Sequence, residues 1–212
     1  MSTPSSRDRP RGSLARILAS EALARVVTHF VLHPYSVLHF RALQRVTGLS
    51  SRSLQQELAR LVELGMLRRE REGRKVYFRA DAGHPRWQVF RQMVREFADP
   101  AEVLGIALAE VPGIEGAFIY GSFAPGTDIH PESDIDVFVL GSALEEPETR
   151  LALSGEALEA AGLLGREVNV TRYTPQKLAD RQARSARFIR SVMEGEKVWL
   201  VGDEAVLRPS ID

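Results

Sequence analysis

The sequence contains no cysteine and no long apolar run, and each absence excludes a class of protein. Without cysteine, the 212 residues can form no disulfide and no thiolate metal site, which favours a reducing compartment and hence a cytoplasmic protein. No stretch approaches the roughly 18 apolar residues that a membrane span needs, so no membrane partner is expected. Residues 1–12 are rich in Ser, Pro and Arg and lack the apolar centre of a secretory signal, which predicts a disordered lead.

The chain also has no net charge, because 28 Lys and Arg balance 28 Asp and Glu. Its two halves are nevertheless strongly charged with opposite signs: residues 1–98 hold 18 basic against 8 acidic side chains, and residues 99–212 hold 10 against 20. This asymmetry indicates two domains with different partners. The basic half has the sign that a phosphate backbone attracts, although attraction between two ordinary domains would also account for the pattern.

Apolar residues recur at helical spacing in the basic half. The pattern predicts a helix over residues 14–32, which His33-Pro34 ends because the residue before a proline is pushed out of the helical region. A short helix is predicted over residues 40–46. Ser50 is a suitable N-cap for a third helix, and Gly65 lies where a terminating glycine belongs.

The period then changes to that of a strand between residues 67 and 80. Two short runs flank Glu72-Gly73, a natural turn, which predicts a β-hairpin. Helix, short helix, helix and hairpin are the order of a winged helix-turn-helix domain, to which residues 13–80 are assigned. With Leu-Ser before the third helix and Glu-Leu-Gly-Met-Leu leading into the hairpin, residues 41–80 resemble the winged helix of small bacterial metal-responsive (ArsR-like) repressors. The lack of cysteine and of ligand-spaced histidines argues against metal sensing.

Polar side chains on the third helix and the hairpin are suited to double-stranded DNA. A helix-turn-helix lays its second helix in the major groove, where Gln and Arg can pair with adenine and guanine edges. Hairpin cations would contact phosphates, which supply affinity and register. A merely solvated face is the alternative for the helix. The candidate DNA-binding residues are Ser51, Arg52, Gln55, Gln56 and Arg60 on the helix and Arg68, Arg69, Arg71, Arg74 and Lys75 on the hairpin.

Residues 81–100 are predicted to form a linker and a connecting helix over residues 87–97. In residues 101–212 helical and strand patterns alternate, which predicts an α/β arrangement. The predicted strands are Gly116–Tyr120, Ile135–Leu140, residues 167–171 and residues 197–201, and the predicted helices span about 101–111, 147–161 and 175–194.

The most specific motif is an apolar strand followed by Gly121-Ser122, eleven further residues and Asp134-Ile135-Asp136. Gly121 lets a backbone approach a triphosphate, and Ser122 can donate a hydrogen bond to it; Ser133 is a further candidate for nucleotide binding. Strand alternation places Asp134 and Asp136 on one face, about 7 Å apart, where two carboxylates can hold Mg²⁺. The motif resembles that of minimal nucleotidyltransferases in the DNA polymerase β superfamily.

This resemblance implies a small nucleotidyltransferase fold with a mixed sheet, so the whole chain is expected to be α+β. It also implies a third acidic residue on a later strand, but the matching position holds Asn169, which cannot accept a proton. Glu167 shares the face, yet it lies about 6.5 Å further along the strand and would serve only in a shifted register. Pro125 stands where many relatives carry a basic residue. Asp134, Asp136 and Asn169 are the candidate catalytic residues, and turnover is the open question.

The chain resembles, along nearly its whole length, a prokaryotic architecture that joins such a winged helix to such a domain. The resemblance includes Glu-Val-Asn at residues 167–169 and the tail at residues 188–202. It implies a transcriptional regulator whose second domain binds Mg²⁺ and a nucleoside triphosphate. An active Mg²⁺-dependent nucleotidyltransferase is the alternative, for example an antitoxin that nucleotidylates a partner toxin. A scaffold that only binds another protein is the third. A homodimer is a further candidate assembly, with residues 14–32 and 87–97 as candidate dimer elements.

Overall fold

The computed structural model describes residues 13–121, 133–184 and 187–207. The predicted disordered lead and the sites expected at Ser122 and Pro125 lie outside these residues. The chain divides into two compact units, Met1–Asp99 and Pro100–Asp212. Among the helices described, none combines the length and the apolar character that crossing a membrane would take.

The described part of the first unit combines helices with a small antiparallel sheet. Its helices are α1 (Ser13–Ile17), α2 (Glu21–Leu32), α3 (Phe40–Thr47), α4 (Ser51–Glu63) and α5 (Arg86–Phe97). Its strands are β1 (Val37–His39), β2 (Leu67–Glu72) and β3 (Lys75–Ala80), in the order β1-β3-β2.

The single helix expected over residues 14–32 is wrong, because the chain breaks it into α1 and α2. Ala19 adopts a left-handed conformation with φ of 53°, and Ser20 then caps α2 by accepting a hydrogen bond from the Leu23 amide at 3.0 Å. The apolar periodicity continues through this break. The Ser20 hydroxyl nevertheless favours a new helix start, since it satisfies an amide that a helix start leaves free. The two caps predicted for α4 are confirmed: Ser50 accepts a hydrogen bond from the Ser53 amide, and Gly65 follows the end of the helix in a left-handed conformation with φ of 70°.

The hairpin lies where the strand period predicts it, but its turn comes one residue later. Glu72 pairs with Lys75, so Gly73 and Arg74 form the turn, with Gly73 at φ of 58°. Strand β1 was not predicted, because three residues are too few to establish a period of two. It pairs with β3 and gives the hairpin a third strand.

The core of the first unit forms around α4 and α2. Leu54, Leu58 and Leu61 of α4 are fully buried, at the helical spacing that makes one apolar stripe. The predicted connecting helix, α5, packs on α2 within this unit. Trp87 of α5 donates its indole N–H to the Met66 carbonyl at 3.1 Å.

The described part of the second unit is built on a four-stranded mixed sheet, as expected for this half of the chain. Its strands are β4 (Gly116–Tyr120), β5 (Ile135–Leu140), β6 (Val168–Tyr173) and β7 (Val198–Val201), in the order β6-β5-β4-β7. Strands β5 and β6 are parallel, and the other two pairs are antiparallel. Its helices are α6 (Pro100–Leu108), α7 (Pro147–Leu164), α8 (Pro175–Ala183) and α9 (Arg187–Glu194), and a 3₁₀ turn spans Glu204–Leu207.

One face of this sheet carries an aromatic row covered by the last helices. Phe118 stacks on Phe138 at 5.1 Å between ring centroids, and Phe138 stacks on Tyr173 at 5.4 Å. Leu178 of α8 and Ile189 of α9 complete this cluster. The single helical region expected over residues 175–194 is therefore wrong, because two separate helices supply these apolar contacts.

Candidate functional site

The candidate site lies at the ends of three neighbouring strands. Asp136 of β5 pairs with Tyr120 of β4 on one side and with Asn169 of β6 on the other. Side chains that are aligned across adjacent strands share a face of the sheet. The register therefore brings the Gly-Ser motif, the second aspartate and the amide of β6 together.

Gly121 follows directly on β4 and allows the backbone to lie against the carboxylate. Its φ is 80°, a backbone conformation that residues with a side chain rarely adopt. A Cβ built on Gly121 would lie 3.2 Å from Asp136 Oδ2. A side chain at position 121 would therefore be strained and would crowd the carboxylate. The role of Gly121 expected from the sequence, a close approach of its backbone to a triphosphate, stays a prediction.

Asn169 occupies the third position without any shift of register. Its Nδ2 donates a long hydrogen bond to Asp136 Oδ1 at 3.5 Å, and both ends of β6 keep the alignment. Glu167 is exposed, and its carbonyl accepts from the Ile135 amide at 2.9 Å. Because the register is regular, the shift that would bring Glu167 beside Asp136 does not occur.

The other residues predicted for this site lie just before β5 or outside the described residues. Asp134 is exposed and lies just before β5, and Ser133 beside it is half-buried. Asp134 lies two positions before Asp136, with Ile135 between them, as the predicted alternation requires. Ser122 lies outside the described residues. The described part of the site therefore consists of Gly121, Asp136 and Asn169, with Asp134 at its edge.

Tyr120 is a polar group at this site that the sequence analysis did not single out. Its hydroxyl is hydrogen bonded to the Thr171 hydroxyl at 3.2 Å, and its ring meets Phe188 edge to face at 6.0 Å. Burial raises the pKa of Tyr120; the hydrogen bond with Thr171 acts against this rise, and the negative charge of Asp136 adds to it. In the sequence, Tyr120 is only the last apolar position of a strand. Whether its hydroxyl reaches Thr171 depends on the pairing register of β5 and β6.

In the first unit, all ten residues expected to bind DNA are exposed. Gln44 Nε2 of α3 donates to Ser51 Oγ of α4 at 3.0 Å, and Arg60 of α4 lies 3.8 Å from Glu57. Arg52, Gln55 and Gln56 follow one another around the outward side of the helix. The polar face predicted for α4 therefore faces solvent.

The basic residues of the hairpin divide between its two faces. Arg69 pairs with Phe78 and Arg71 with Val76, so these two arginines lie on one face. Arg68 lies on the other face and forms an ion pair with Asp81 at 3.1 Å. Arg79, on that same face, pairs with Glu70 at 2.9 Å. Arg74 lies at the turn and Lys75 just after it. The five basic side chains predicted for the hairpin thus do not form one continuous surface.

Residues 105–191 match the family model described as polymerase beta, nucleotidyltransferase. This stretch includes the candidate site, and the match supports a nucleotidyltransferase domain of the polymerase β type there. No curated protein matches the chain. A solved structure of a mutant toxin–antitoxin complex, MntA–HpeT, is similar at 19% identity and a TM-score of 0.37, over 51% of this chain and 77% of that one; a similarity of this extent supports no inference.

Proposed function

We propose that the second unit is a Mg²⁺-dependent nucleotidyltransferase, which transfers a nucleoside monophosphate from a nucleoside triphosphate to a hydroxyl of a partner protein. The observation that carries the proposal is the alignment of Gly121, Asp136 and Asn169 on adjacent strands, within the stretch that matches the nucleotidyltransferase family. The match favours this alternative over the DNA-binding regulator. A toxin neutralised by nucleotidylation is the partner that the resemblance of the chain implies.

The residues at the site fit a hard divalent cation. Asp134 and Asp136 offer carboxylate oxygens, the ligands that Mg²⁺ prefers, and the missing side chain at Gly121 leaves the region beside Asp136 Oδ2 open. When bound, the ion would neutralise triphosphate charge and activate the attacking hydroxyl. Gly121, Ser122 and Ser133 are the proposed phosphate contacts. Asn169 holds Asp136 in position through its amide.

In the proposed reaction the acceptor oxygen bonds to the α-phosphorus, and the bond from the α-phosphorus to the bridging oxygen breaks. Pyrophosphate leaves with that oxygen. The proton of the acceptor hydroxyl passes to water, because Asn169 has no basic atom at the third position. A positioned base contributes about 10²–10⁴-fold in other enzymes, so transfer by this chain is expected to be slow.

The proposal is tested with purified full-length chain and ATP, GTP, CTP or UTP, in Mg²⁺ or in EDTA. Binding is followed by calorimetry and turnover by pyrophosphate release. We expect saturable, Mg²⁺-dependent binding with slow release, and loss of both in Asp136→Asn. Asp180→Asn is the matched control, because Asp180 is exposed on α8. Binding that persists in EDTA, or in Asp136→Asn, would contradict the proposal.

For the first unit we propose a winged helix-turn-helix that binds double-stranded DNA. The order of α2, β1, α3, α4, β2 and β3 and the exposed polar side of α4 favour this function. Arg71 lies on the same hairpin face as Arg69, and the test removes its charge. Binding of a random duplex, measured by fluorescence anisotropy, should weaken in Arg71→Ala, and the salt slope should fall by about 1.

Arg79→Ala is the matched control for this measurement, because Arg79 lies on the other face and is paired with Glu70. A wild-type chain that binds no duplex at low salt would overturn the DNA-binding proposal. The same result would leave the nucleotidyltransferase proposal untouched, since the two activities are assigned to different units.

A further inference from the structure

A cavity of about 550 Å³ opens between α4 and the hairpin of the first unit. This volume lies in the range of small-molecule sites, about 300–1,000 Å³. Most of the lining is apolar: it consists of Phe40, Leu58, Ala59, Val62, Val76 and Phe78. Leu58 and Phe78 are buried beneath it. The floor of the groove is therefore an apolar surface, and its removal from water by a ligand is favourable.

Three polar side chains, Gln55, Glu63 and Arg69, also line the groove. Arg69 forms no ion pair with any residue that the structure describes, whereas its neighbours Arg68 and Arg79 are both paired with carboxylates. Arg69 also lies beside Phe78, its partner across the hairpin. A guanidinium at the edge of an apolar surface suits a ligand with an anionic head and an apolar body.

We propose that this groove binds an amphipathic monoanion, namely an aliphatic or aromatic carboxylate whose body lies on the apolar floor and whose head pairs with Arg69. Glu63 limits the charge of the ligand, because a second negative group would meet its carboxylate. The apolar floor also disfavours a phosphate chain, since it offers no donors to replace the water that a buried charge loses. Nucleotides and other polyanions therefore do not fit this groove.

The groove shares Gln55 and Arg69 with the proposed DNA-binding surface. A ligand seated there would cover both side chains, so carboxylate and duplex should compete. This consequence rests on the proposed function of the first unit. Binding of the carboxylate itself does not, and the two are measured separately.

Decanoate is the probe, with decanol as the uncharged ligand of equal chain length, because a cationic ligand would pair with Glu63 in the same groove. Calorimetry with the full chain should show decanoate binding about fivefold more tightly than decanol, the effect of one partly exposed ion pair. Shortening the chain to octanoate should weaken binding roughly fifteenfold, because it removes two methylenes and each buried methylene changes affinity about fourfold.

Two variants locate the site. Arg69→Gln should remove the preference for the anion and keep the dependence on chain length, and Ala59→Trp should fill the groove and abolish both. Arg71→Gln is the matched control, because Arg71 lies on the same hairpin face but outside the lining. Circular dichroism and thermal unfolding establish that each variant is folded.

Equal affinity for decanoate and decanol would overturn the proposed ligand class. Unchanged binding in Ala59→Trp would overturn the proposed site, and no binding by the wild-type chain would overturn the inference altogether. A chain that binds decanoate but no duplex would refute only the DNA-binding function.

Discussion

The contact between Asn169 and Asp136 predicts how the site should respond to a third carboxylate. In the protein, Asn169 Nδ2 donates to Asp136 Oδ1 at 3.5 Å. Asn169→Asp replaces this donor with a second negative oxygen at a similar distance. Two unit charges 3.5 Å apart repel by about 1 kcal/mol at the dielectric constant of water and by about 5 kcal/mol at an effective value of 20. Because Asn169 is exposed, the lower figure applies.

The assay is thermal unfolding of the full chain in EDTA and in Mg²⁺. In EDTA at neutral pH, Asn169→Asp should lower the unfolding temperature of the second unit by about 4 °C, the usual equivalent of 1 kcal/mol in a domain of this size. The loss requires both carboxylates to be ionised, so it should disappear as the pH falls and one of them takes up a proton. Mg²⁺ should stabilise the variant more than the wild type, because the cation offsets the added negative charge.

Two further variants separate charge from the lost hydrogen bond. Asn169→Ala removes the donor without adding a charge and should cost less than Asn169→Asp. The double variant Asp136→Asn with Asn169→Asp exchanges the two groups and should recover most of the stability. If Asn169→Asp unfolds in EDTA at the wild-type temperature, or if the double variant is no more stable than the single one, the reasoning from this contact is wrong.

Three other outcomes are expected. Gly121→Ala should lower the free energy of unfolding by about 1 kcal/mol because its φ of 80° is left-handed, and it should also weaken Mg²⁺–nucleotide binding, measured by calorimetry; unaltered stability would contradict the strained backbone. Trp87→Phe should cost about 1–2 kcal/mol in urea unfolding, since it leaves the Met66 carbonyl without its indole donor, whereas a change near zero would mean that water replaces the donor. In a spectrophotometric titration, Tyr120→Phe should remove a transition that lies above the ordinary pKa of tyrosine, because burial raises the pKa of Tyr120; an unchanged high-pH end of the titration would argue against this.

The strands and caps of the fold could be predicted closely, and the breaks between helices could not. Strands β4 and β5 have the predicted bounds, since their apolar runs are short and are delimited by Gly121 and Asp134. The break at Ala19 leaves no gap in the apolar periodicity, so only the left-handed residue and the Ser20 cap reveal it. Local patterns define elements well where a capping or turn residue delimits them, and poorly where periodicity continues through a bend.

The amino-acid sequence by itself determined the opposite charges of the two halves, the Gly-Ser and Asp-x-Asp spacing and the presence of Asn169 in place of an acid. These depend on residue identity along the chain, which needs no folding to be read. Tertiary structure alone decided that Asn169 lies beside Asp136, that the Tyr120 hydroxyl reaches Thr171 and that the hairpin divides its arginines between two faces. The reason is that strand register is set by pairing between segments far apart in sequence, and a shift of one residue would move every side chain to the opposite face.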